Sequence, residues 1–184
     1  MLYLASASPR RRELLTQAGF SFSVLPTNAD ESLPAGVTPR EAVGILAVRM
    51  EEYRRQTAPG DVILAADTVV DLGGTIFGKP DSREDAARML RALSGKRHSV
   101  HTGFCVLAGE KRLCGVESTS VEFYPLTDGE IADYLETGEP MDKAGAYGIQ
   151  GRGVILVRRI SGDYSNVVGL PVARVGRILR ALGV

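Results

Sequence analysis

The chain has 184 residues, of which 44% are apolar, with 22 lysines and arginines balancing 22 aspartates and glutamates. This length suits one domain with a buried core, and the composition is that of an ordinary globular protein. The net charge of zero argues against a protein that holds nucleic acid through a broad basic face, although it leaves room for a small pocket that binds one anion.

The expected location of the protein follows from its apolar runs and first residues. No run approaches the roughly 20 apolar residues that span a bilayer, and the segment from Met1 to Ser6 lacks the charged and apolar regions of a signal peptide. We therefore expect a cytoplasmic protein that neither enters a membrane nor binds nucleic acid.

The thiols and imidazoles do not form a pattern typical of a zinc site. If Gly109-Glu110 is a two-residue hairpin turn, Cys105 and Cys114 lie directly opposite each other on paired strands, where a disulfide is conceivable. In a cytoplasmic protein we expect them to be reduced thiols. His98 and His101 are three residues apart on a predicted strand, so they point to opposite faces and make a poor ligand pair.

Strands and helices alternate along the chain. The first part of the chain predicts a strand at 2–5, a helix from Pro9 to Gly19 capped by Ser8, a strand at 21–25 and a helix from Thr38 to about Arg55. The middle predicts a strand at 62–70, a short strand at 75–78, a helix after Ser82 and a hairpin of 98–107 with 112–124. The last part predicts a helix from Thr127 to about Gly138, a strand at 154–160 and a helix along 172–182. This order predicts an α/β fold with a mixed sheet and a long antiparallel hairpin.

The segment Ser6-Ala7-Ser8-Pro9-Arg10-Arg11-Arg12 is the first candidate for chemistry. Small residues lead into a helix N-terminus, where free N–H groups and the helix dipole attract an anion. The arginines that follow would disfavour the helix unless something negative is bound. A solvated basic turn is the alternative interpretation.

A carboxylate interrupts the most apolar predicted strand. Asp67 follows Val62-Ile63-Leu64-Ala65-Ala66, and a buried, unpaired carboxylate is unfavourable by several kcal/mol, so it should meet a cation, a metal or several donors. Capping of nearby N–H groups at a strand end is the alternative. Asp30-Glu31, in a predicted loop, could supply a second oxygen ligand to a hard cation, although acidic loop dipeptides are usually only solvated.

Two further segments suit a nucleotide. Lys79, between a strand end and Pro80, is well placed to meet phosphate oxygens, although it could be an ordinary loop lysine. The string Asp142–Gly151 is rich in small residues and ends in a carboxamide, Gln150, that could bond the edge of a base. A tight turn is the alternative for this string.

Taken together, these segments resemble the Maf family of nucleotide pyrophosphatases, which is also known for effects on septum formation. The matching segments are Ser6–Arg11, Ala66-Asp67-Thr68, Lys79-Pro80, Asp142–Gly151 and Asp163–Pro171, in that order along nearly the whole chain. The resemblance implies a Maf/ITPase-like fold with a twisted mixed sheet, flanking helices and a cleft between two lobes, in a single domain over residues 1–184. It also implies a homodimer.

The resemblance implies a role for several residues. Asp67 falls on the catalytic base, Lys79 on the lysine of the Lys-Pro pair, and Glu31 on the acidic residue that assists a divalent metal, which we expect to be magnesium, manganese or cobalt. Ser8, Arg10 and Arg11 fall on the triphosphate-binding loop. Arg10, Thr68 and Gln150 fall on positions to which substrate choice is attributed.

The implied reaction is hydrolysis of a nucleoside triphosphate to the monophosphate and pyrophosphate. The combination of Arg10, Thr68 and Gln150 resembles the branch of the family that acts on dTTP and UTP, rather than the branch that acts on 7-methyl-GTP. One departure is Met50, where many relatives carry a lysine. A regulator of cell division that senses nucleotide without turnover, and a nucleic-acid-binding module that uses Arg10–Arg12, are alternatives from other classes.

Overall fold

The structure, a computed structural model, describes residues 1–25, 37–39, 41, 45, 49 and 52–184. The strands within them are β1 (Leu2–Ala5), β2 (Ser23–Val24), β3 (Val62–Leu72), β4 (Thr75–Phe77), β5 (Arg97–Ala108), β6 (Lys111–Phe123) and β7 (Val157–Ser161). The α-helices are α1 (Pro9–Gln17), α2 (Arg83–Leu93), α3 (Asp128–Glu136), α4 (Tyr164–Val168) and α5 (Val172–Ala181). Glu139–Asp142, Ala144–Ala146 and Gly151–Leu156 form 3₁₀ turns.

The strands of the described residues form one sheet in the order β2-β1-β3-β5-β6-β7, with β4 added to the edge of β3. β1 is parallel to β2 and β3, whereas the other pairs are antiparallel. The predicted α/β fold with a mixed sheet is therefore confirmed. The predicted hairpin is also confirmed, because β5 and β6 pair from Ala108 opposite Lys111 outward, across the turn at Gly109-Glu110.

Unequal strand lengths open one edge of the sheet. β1 pairs with β3 only from Val62 to Ala65, and β4 pairs with the same edge of β3 only from Val70 onward. Residues 66–69 of β3 thus have no strand partner on that side within the described part of the chain. Asp67 lies in the middle of this interval, which we call the strand gap (residues 66–69).

Two apolar clusters cover one face of the sheet, on either side of a polar row. The first cluster contains Leu64 and Ala66 of β3 and packs against α1 and α5, and the second contains Val70 and packs against α2 and α3. Thr68 lies between them on β3 and belongs to neither. A third cluster, with Ala65 of β3, covers the opposite face.

A capping box lies at Thr38, where the sequence predicts the start of a helix. The Thr38 N–H donates to a Glu41 carboxylate oxygen at 2.8 Å, and the Glu41 N–H donates to Thr38 Oγ1 at 3.3 Å. Met50 lies outside the described residues, as does most of the predicted helix body. No helix of the described residues is long and apolar enough to cross a membrane.

Two expectations about local structure are wrong. The strand expected at 154–160 begins only at Val157, because Gly151–Leu156 turns as a 3₁₀ helix before the chain joins the sheet beside β6. The thiols expected to be reduced form a disulfide between Cys105 and Cys114. The expected hairpin register itself brings them together, since these residues are direct partners with Cα atoms 4.1 Å apart.

Candidate active site

The strand gap opens into a cleft of about 680 Å³. Its walls come from segments that are far apart in the sequence: the end of β1 and the start of α1, Arg49 and Tyr53, β3, the loop after β4, residues of α2, Val100 of β5, the string Asp142–Gly151, and the end of α4 with the turn after it. The predicted site residues that line it are Ser8, Arg10, Arg11, Asp67, Thr68, Lys79 and Gln150. The structure therefore brings together seven of the eight predicted site residues, and the eighth, Glu31, lies outside the described residues.

Arg11 is held across the cleft floor by three neutral oxygens. Its Nε donates to the Gly169 carbonyl at 2.7 Å, and its two terminal nitrogens donate to Ser6 Oγ at 3.0 Å and Thr68 Oγ1 at 3.2 Å. These bonds span β1, β3 and the turn after α4. With only 12% of its side chain exposed, Arg11 presents a fixed positive charge rather than a mobile one.

The N-terminus of α1 faces the same cleft. Ser8 caps the helix in extended conformation but makes no side-chain capping bond, and Pro9 occupies the first turn. The first intrahelical bond reaches the N–H of Arg12, so the N–H groups of Arg10 and Arg11 precede the hydrogen-bonded part of the helix. No acidic residue lies in this first turn. The combination of a helix N-terminus and arginines, with no acidic residue in the first turn, favours an anion.

Asp67 stands beside Arg11 in the strand gap. Its Oδ1 accepts a hydrogen bond from the Thr68 N–H at 2.7 Å and lies 3.8 Å from a terminal nitrogen of Arg11. Its side chain is 23% exposed, so solvent or a ligand can reach it. The carboxylate thus has one oxygen oriented by the backbone, while Oδ2 makes no hydrogen bond within the described residues.

The loop that carries Lys79 is tied to the Gly-rich string on the other side of the cleft. The Gly145 N–H donates to the Gly78 carbonyl at 3.0 Å. Gly145 has φ +69°, and a Cβ at this position would approach Val70 Cγ2 of β3 to 2.9 Å, so the position requires glycine. Lys79 itself is exposed and makes no ion pair with any described residue.

Arg10 meets a residue that sequence reasoning did not assign. Arg10 donates to Asp142 Oδ2 at 2.9 Å, which joins the start of α1 to the Gly-rich string. Lys143 donates to the other oxygen of Asp142 at 2.6 Å. Burial opposes ionisation of Asp142, but the hydrogen bonds from Lys143 and Arg10 outweigh it and lower the pKa of this carboxyl. Arg10 is therefore already paired with a carboxylate.

Gln150 lies at the rim of the cleft, in extended conformation before the 3₁₀ turn Gly151–Leu156. Its side-chain amide makes no hydrogen bond within the described residues. It is therefore available to a ligand, but no described neighbour fixes which end of the amide points inward.

Sequence reasoning also missed two buried residues behind Thr68. Thr102 of β5 and Asn166 of α4 are both fully buried. The Thr102 hydroxyl lies 2.9 Å from Thr68 Oγ1 and donates to the Asn166 carbonyl at 3.0 Å. The Asn166 side chain in turn donates to the Val100 carbonyl at 3.0 Å. A polar residue at an inward position between Val100 and Phe104 was the available signal for Thr102.

One feature of the cleft, an accessible carboxylate, suits a divalent cation. The described residues contain no cluster of three or more histidine, cysteine or acidic side chains. Magnesium is usually bound by one or two carboxylates together with substrate phosphates, so the accessible carboxylate of Asp67 matches its preference.

Comparison with known proteins gives matches along nearly the whole chain. A family profile described as Maf-like protein matches residues 1–182. A dTTP/UTP pyrophosphatase of Geobacillus sp. (strain WCH70) is 48% identical over 99% of this chain and 98% of that protein. A dTTP/UTP pyrophosphatase of Anaeromyxobacter dehalogenans (strain 2CP-C) is 51% identical over 99% of this chain and 94% of that protein.

A solved structure of a nucleoside-triphosphatase / dITP/XTP pyrophosphatase from Mycobacterium abscessus aligns over 98% of this chain and 97% of that chain. The sequence identity is 15% and the TM-score is 0.48, a similarity too low to add to the description of the fold.

The free energy of unfolding should fall at acid pH because of His98, a buried histidine that contacts the Gly-rich string. His98 is buried with Nε2 2.8 Å from the Tyr147 hydroxyl, and its Nδ1 has no hydrogen-bond partner among the described residues. Burial lowers its pKa from 6.5 to about 4. Below pH 6.5 the unfolded chain binds a proton that the folded chain refuses until about pH 4, so stability present above pH 6.5 is lost as the pH falls toward 4.

The test compares urea unfolding of the wild type with that of His98→Gln, which cannot titrate. Between pH 6.5 and pH 5 the wild type should lose roughly 2 kcal/mol more than the variant. Equal losses in the two proteins would contradict the assignment of this pH dependence to His98.

Proposed function

The chain belongs to the Maf family, and we propose that it is a nucleoside triphosphate pyrophosphatase. In the proposed reaction, water attacks the α-phosphorus, the bond from that phosphorus to the α–β bridging oxygen breaks, and a nucleoside monophosphate and pyrophosphate leave. The observation that carries the proposal is the pairing of an accessible carboxylate, Asp67, with a fixed guanidinium, Arg11, 3.8 Å apart in one cleft. Relatives named dTTP/UTP pyrophosphatase, 43–51% identical to this chain, support the same activity.

Asp67 is proposed to act as the general base. Its Oδ1 is held by the Thr68 N–H at 2.7 Å, so the carboxylate has a defined orientation, and Oδ2 is left to accept a proton from the attacking water. The water must also lie in line with the leaving oxygen, so a base held by the backbone of β3 provides position as well as a proton acceptor.

The cations around the cleft are proposed to stabilise the charge that develops on the leaving pyrophosphate. Arg11 is already oriented by its hydrogen bonds, so it needs little reorganisation when charge develops. Lys79, on the opposite loop, has a mobile ammonium that can follow a phosphate oxygen. Ser8 and the N–H groups that follow it would bind a phosphate at the N-terminus of α1.

A divalent cation, magnesium, manganese or cobalt, is proposed to be held by Asp67, Glu31 and the phosphate oxygens of the substrate. When bound, such an ion neutralises phosphate charge and lowers the barrier to attack by water. Loss of turnover on addition of a chelator, and its return with each of the three ions in turn, would test this requirement.

The quaternary state and the location of the protein are part of the proposal. The family resemblance suggests a homodimer, and light scattering at micromolar concentration should give twice the monomer mass; a monomer mass would contradict it. We also propose a cytoplasmic location, where the nucleotide substrates are found. Because disulfides are rare in that compartment, thiol titration of the denatured chain straight from cells would decide whether Cys105 and Cys114 are joined there.

Replacing Asp67 by asparagine should abolish most turnover without unfolding the protein. Asparagine keeps the shape and can still accept from the Thr68 N–H. It cannot take a proton from water, and it has no negative charge with which to bind a metal ion. We expect kcat to fall by roughly 10²–10⁴ with an unchanged thermal melting curve. Near-normal pyrophosphate release by Asp67→Asn would remove the residue from its proposed role.

Removal of the charge of Lys79 should affect turnover far more than removal of a matched charge outside the cleft. Lys79→Ala should lower kcat/KM by more than about tenfold, because the lysine faces the proposed phosphate site. Arg55→Ala serves as the control, since Arg55 is also exposed but does not line the cleft. Equal losses in the two variants would indicate a diffuse effect of net charge rather than a defined contact.

The substrate ranking should place dTTP and UTP above purine triphosphates, CTP and 7-methyl-GTP. The Gln150 amide can donate to O4 and accept from N3–H of uracil or thymine, whereas cytosine presents the opposite pattern. Because no described neighbour fixes this amide, it can rotate, and we expect discrimination against CTP near the lower end of the usual range, about fivefold in kcat/KM.

The matching variant is Gln150→Glu, which replaces the donor by a second acceptor. It should lose most UTP and dTTP turnover in a panel of common and modified triphosphates. Fastest hydrolysis of 7-methyl-GTP by the wild type, or an unchanged ranking in Gln150→Glu, would contradict the pyrimidine preference while leaving the proposed reaction in place.

A further inference from the structure

A polar row crosses the sheet between two apolar clusters. Thr68 of β3 and Thr102 of β5 are direct partners in the register, with Leu64 and Ala66 on one side and Val70 and Val100 on the other. Thr102 is 0% exposed and does not line the cleft. A buried hydroxyl in an apolar layer is unfavourable unless it is hydrogen-bonded, so its bonds identify what it does.

The direction of the hydrogen bonds in this row is determined by one carbonyl. The main-chain carbonyl of Asn166 can only accept, so Thr102 must donate its single proton to this oxygen, across 3.0 Å. The 2.9 Å contact between the two threonine hydroxyls must then be a donation from Thr68 to Thr102. With its only proton used, Thr68 Oγ1 can only accept, and it accepts from Arg11 at 3.2 Å.

Asn166, whose main-chain carbonyl ends this series of hydrogen bonds, is itself held in place. Asn166 is 0% exposed, and its side-chain nitrogen donates to the Val100 carbonyl and to Thr119 Oγ1, both at 3.0 Å. The Asn166 carbonyl also accepts from the Gly169 N–H at 3.1 Å, and the Gly169 carbonyl accepts from Arg11 Nε at 2.7 Å. Two of the acceptors of Arg11 therefore trace back to the same buried asparagine.

We infer that Thr102 is a positioning residue for Arg11: by taking the proton of Thr68, it makes the Thr68 hydroxyl a permanent acceptor that holds the guanidinium toward the ligand. Thr102 acts through Thr68 and touches no ligand itself. The choice of a triphosphate as the ligand rests on the proposed function, whereas the orientation of Arg11 toward an anion does not.

Thr102→Val is the direct test, because valine keeps the shape and removes the hydroxyl. The Thr68 proton then loses its acceptor and can turn toward Arg11, where it opposes the N–H donor. We expect inorganic pyrophosphate to bind about fivefold more weakly by calorimetry, and kcat/KM for UTP to fall by about the same factor. Thr102→Ser, which retains the hydroxyl, should stay within about twofold of the wild type.

The control is Thr137→Val. Thr137 is half-buried and does not line the cleft, and its hydroxyl also donates to a main-chain carbonyl, that of Tyr134 at 2.6 Å. Among the described residues its hydroxyl bonds neither Thr68, Arg11 nor Asn166. Thr137→Val should lower the melting temperature while pyrophosphate affinity changes by less than about twofold.

A double-mutant cycle separates a path through Arg11 from general loosening of the cleft. In an Arg11→Ala background, Thr102→Val should cause no further loss of pyrophosphate affinity. An equal fivefold loss in both backgrounds, a loss in Thr102→Ser as large as in Thr102→Val, or wild-type affinity in Thr102→Val would each overturn the inference. If Thr102→Val does not fold, Thr68→Val removes the next hydroxyl of the row, the acceptor of Arg11 itself, from a half-buried position. It should lower pyrophosphate affinity at least as much, and again cause no further loss in the Arg11→Ala background.

The measurement of pyrophosphate affinity keeps this inference distinct from the proposed function. If the wild type binds pyrophosphate but hydrolyses no triphosphate, the proposed function fails while the cycle still decides the role of Thr102. If triphosphates are hydrolysed and the cycle shows additive losses, the role of Thr102 fails and the proposed function stands.

Discussion

The constraint on which the site depends is that β3 continues beyond the end of β1. A strand edge without a partner exposes N–H and C=O groups and is normally covered or paired. Here β1 stops opposite Ala65 and β4 begins opposite Val70, so the edge between them faces a cleft. Asp67 can occupy an otherwise apolar strand because this short interval gives its carboxylate access to solvent.

The strand gap also explains why a cation is fixed on the floor of the cleft. Arg11 starts from the first turn of α1, where its charge opposes the helix dipole. Its hydrogen bonds to the neutral oxygens of Ser6, Thr68 and Gly169 hold it there, beside the carboxylate of Asp67. A charge held in this way is suited to an arriving anion, because the protein has already ordered the side chain.

Most of the fold was predictable from the sequence because its signals are local. Apolar runs, capping residues and the Gly109-Glu110 turn determine the strands, the helices and the register of the hairpin. The site was predictable as far as short motifs carry it, to residues such as Asp67 and Lys79. Thr102 was not, because its role depends on a cross-strand partner and on a carbonyl 64 residues away. The prediction of reduced thiols was wrong because it rested on the expected compartment, whereas the hairpin register places Cys105 directly opposite Cys114.

The two neighbouring arginines illustrate what only the structure adds. In the sequence, Arg10 and Arg11 are adjacent in one basic turn, and only the family resemblance distinguishes them, by adding substrate choice to Arg10. In the structure, Arg10 donates to the carboxylate of Asp142 at 2.9 Å, whereas Arg11 donates to the neutral oxygens of Ser6, Thr68 and Gly169 and lies 3.8 Å from Asp67 Oδ1. A ligand that recruits Arg10 must compete with Asp142, so its binding is coupled to the position of the Gly-rich string. A ligand that meets Arg11 finds a cation that the protein has already oriented, so less ordering is left to occur on binding.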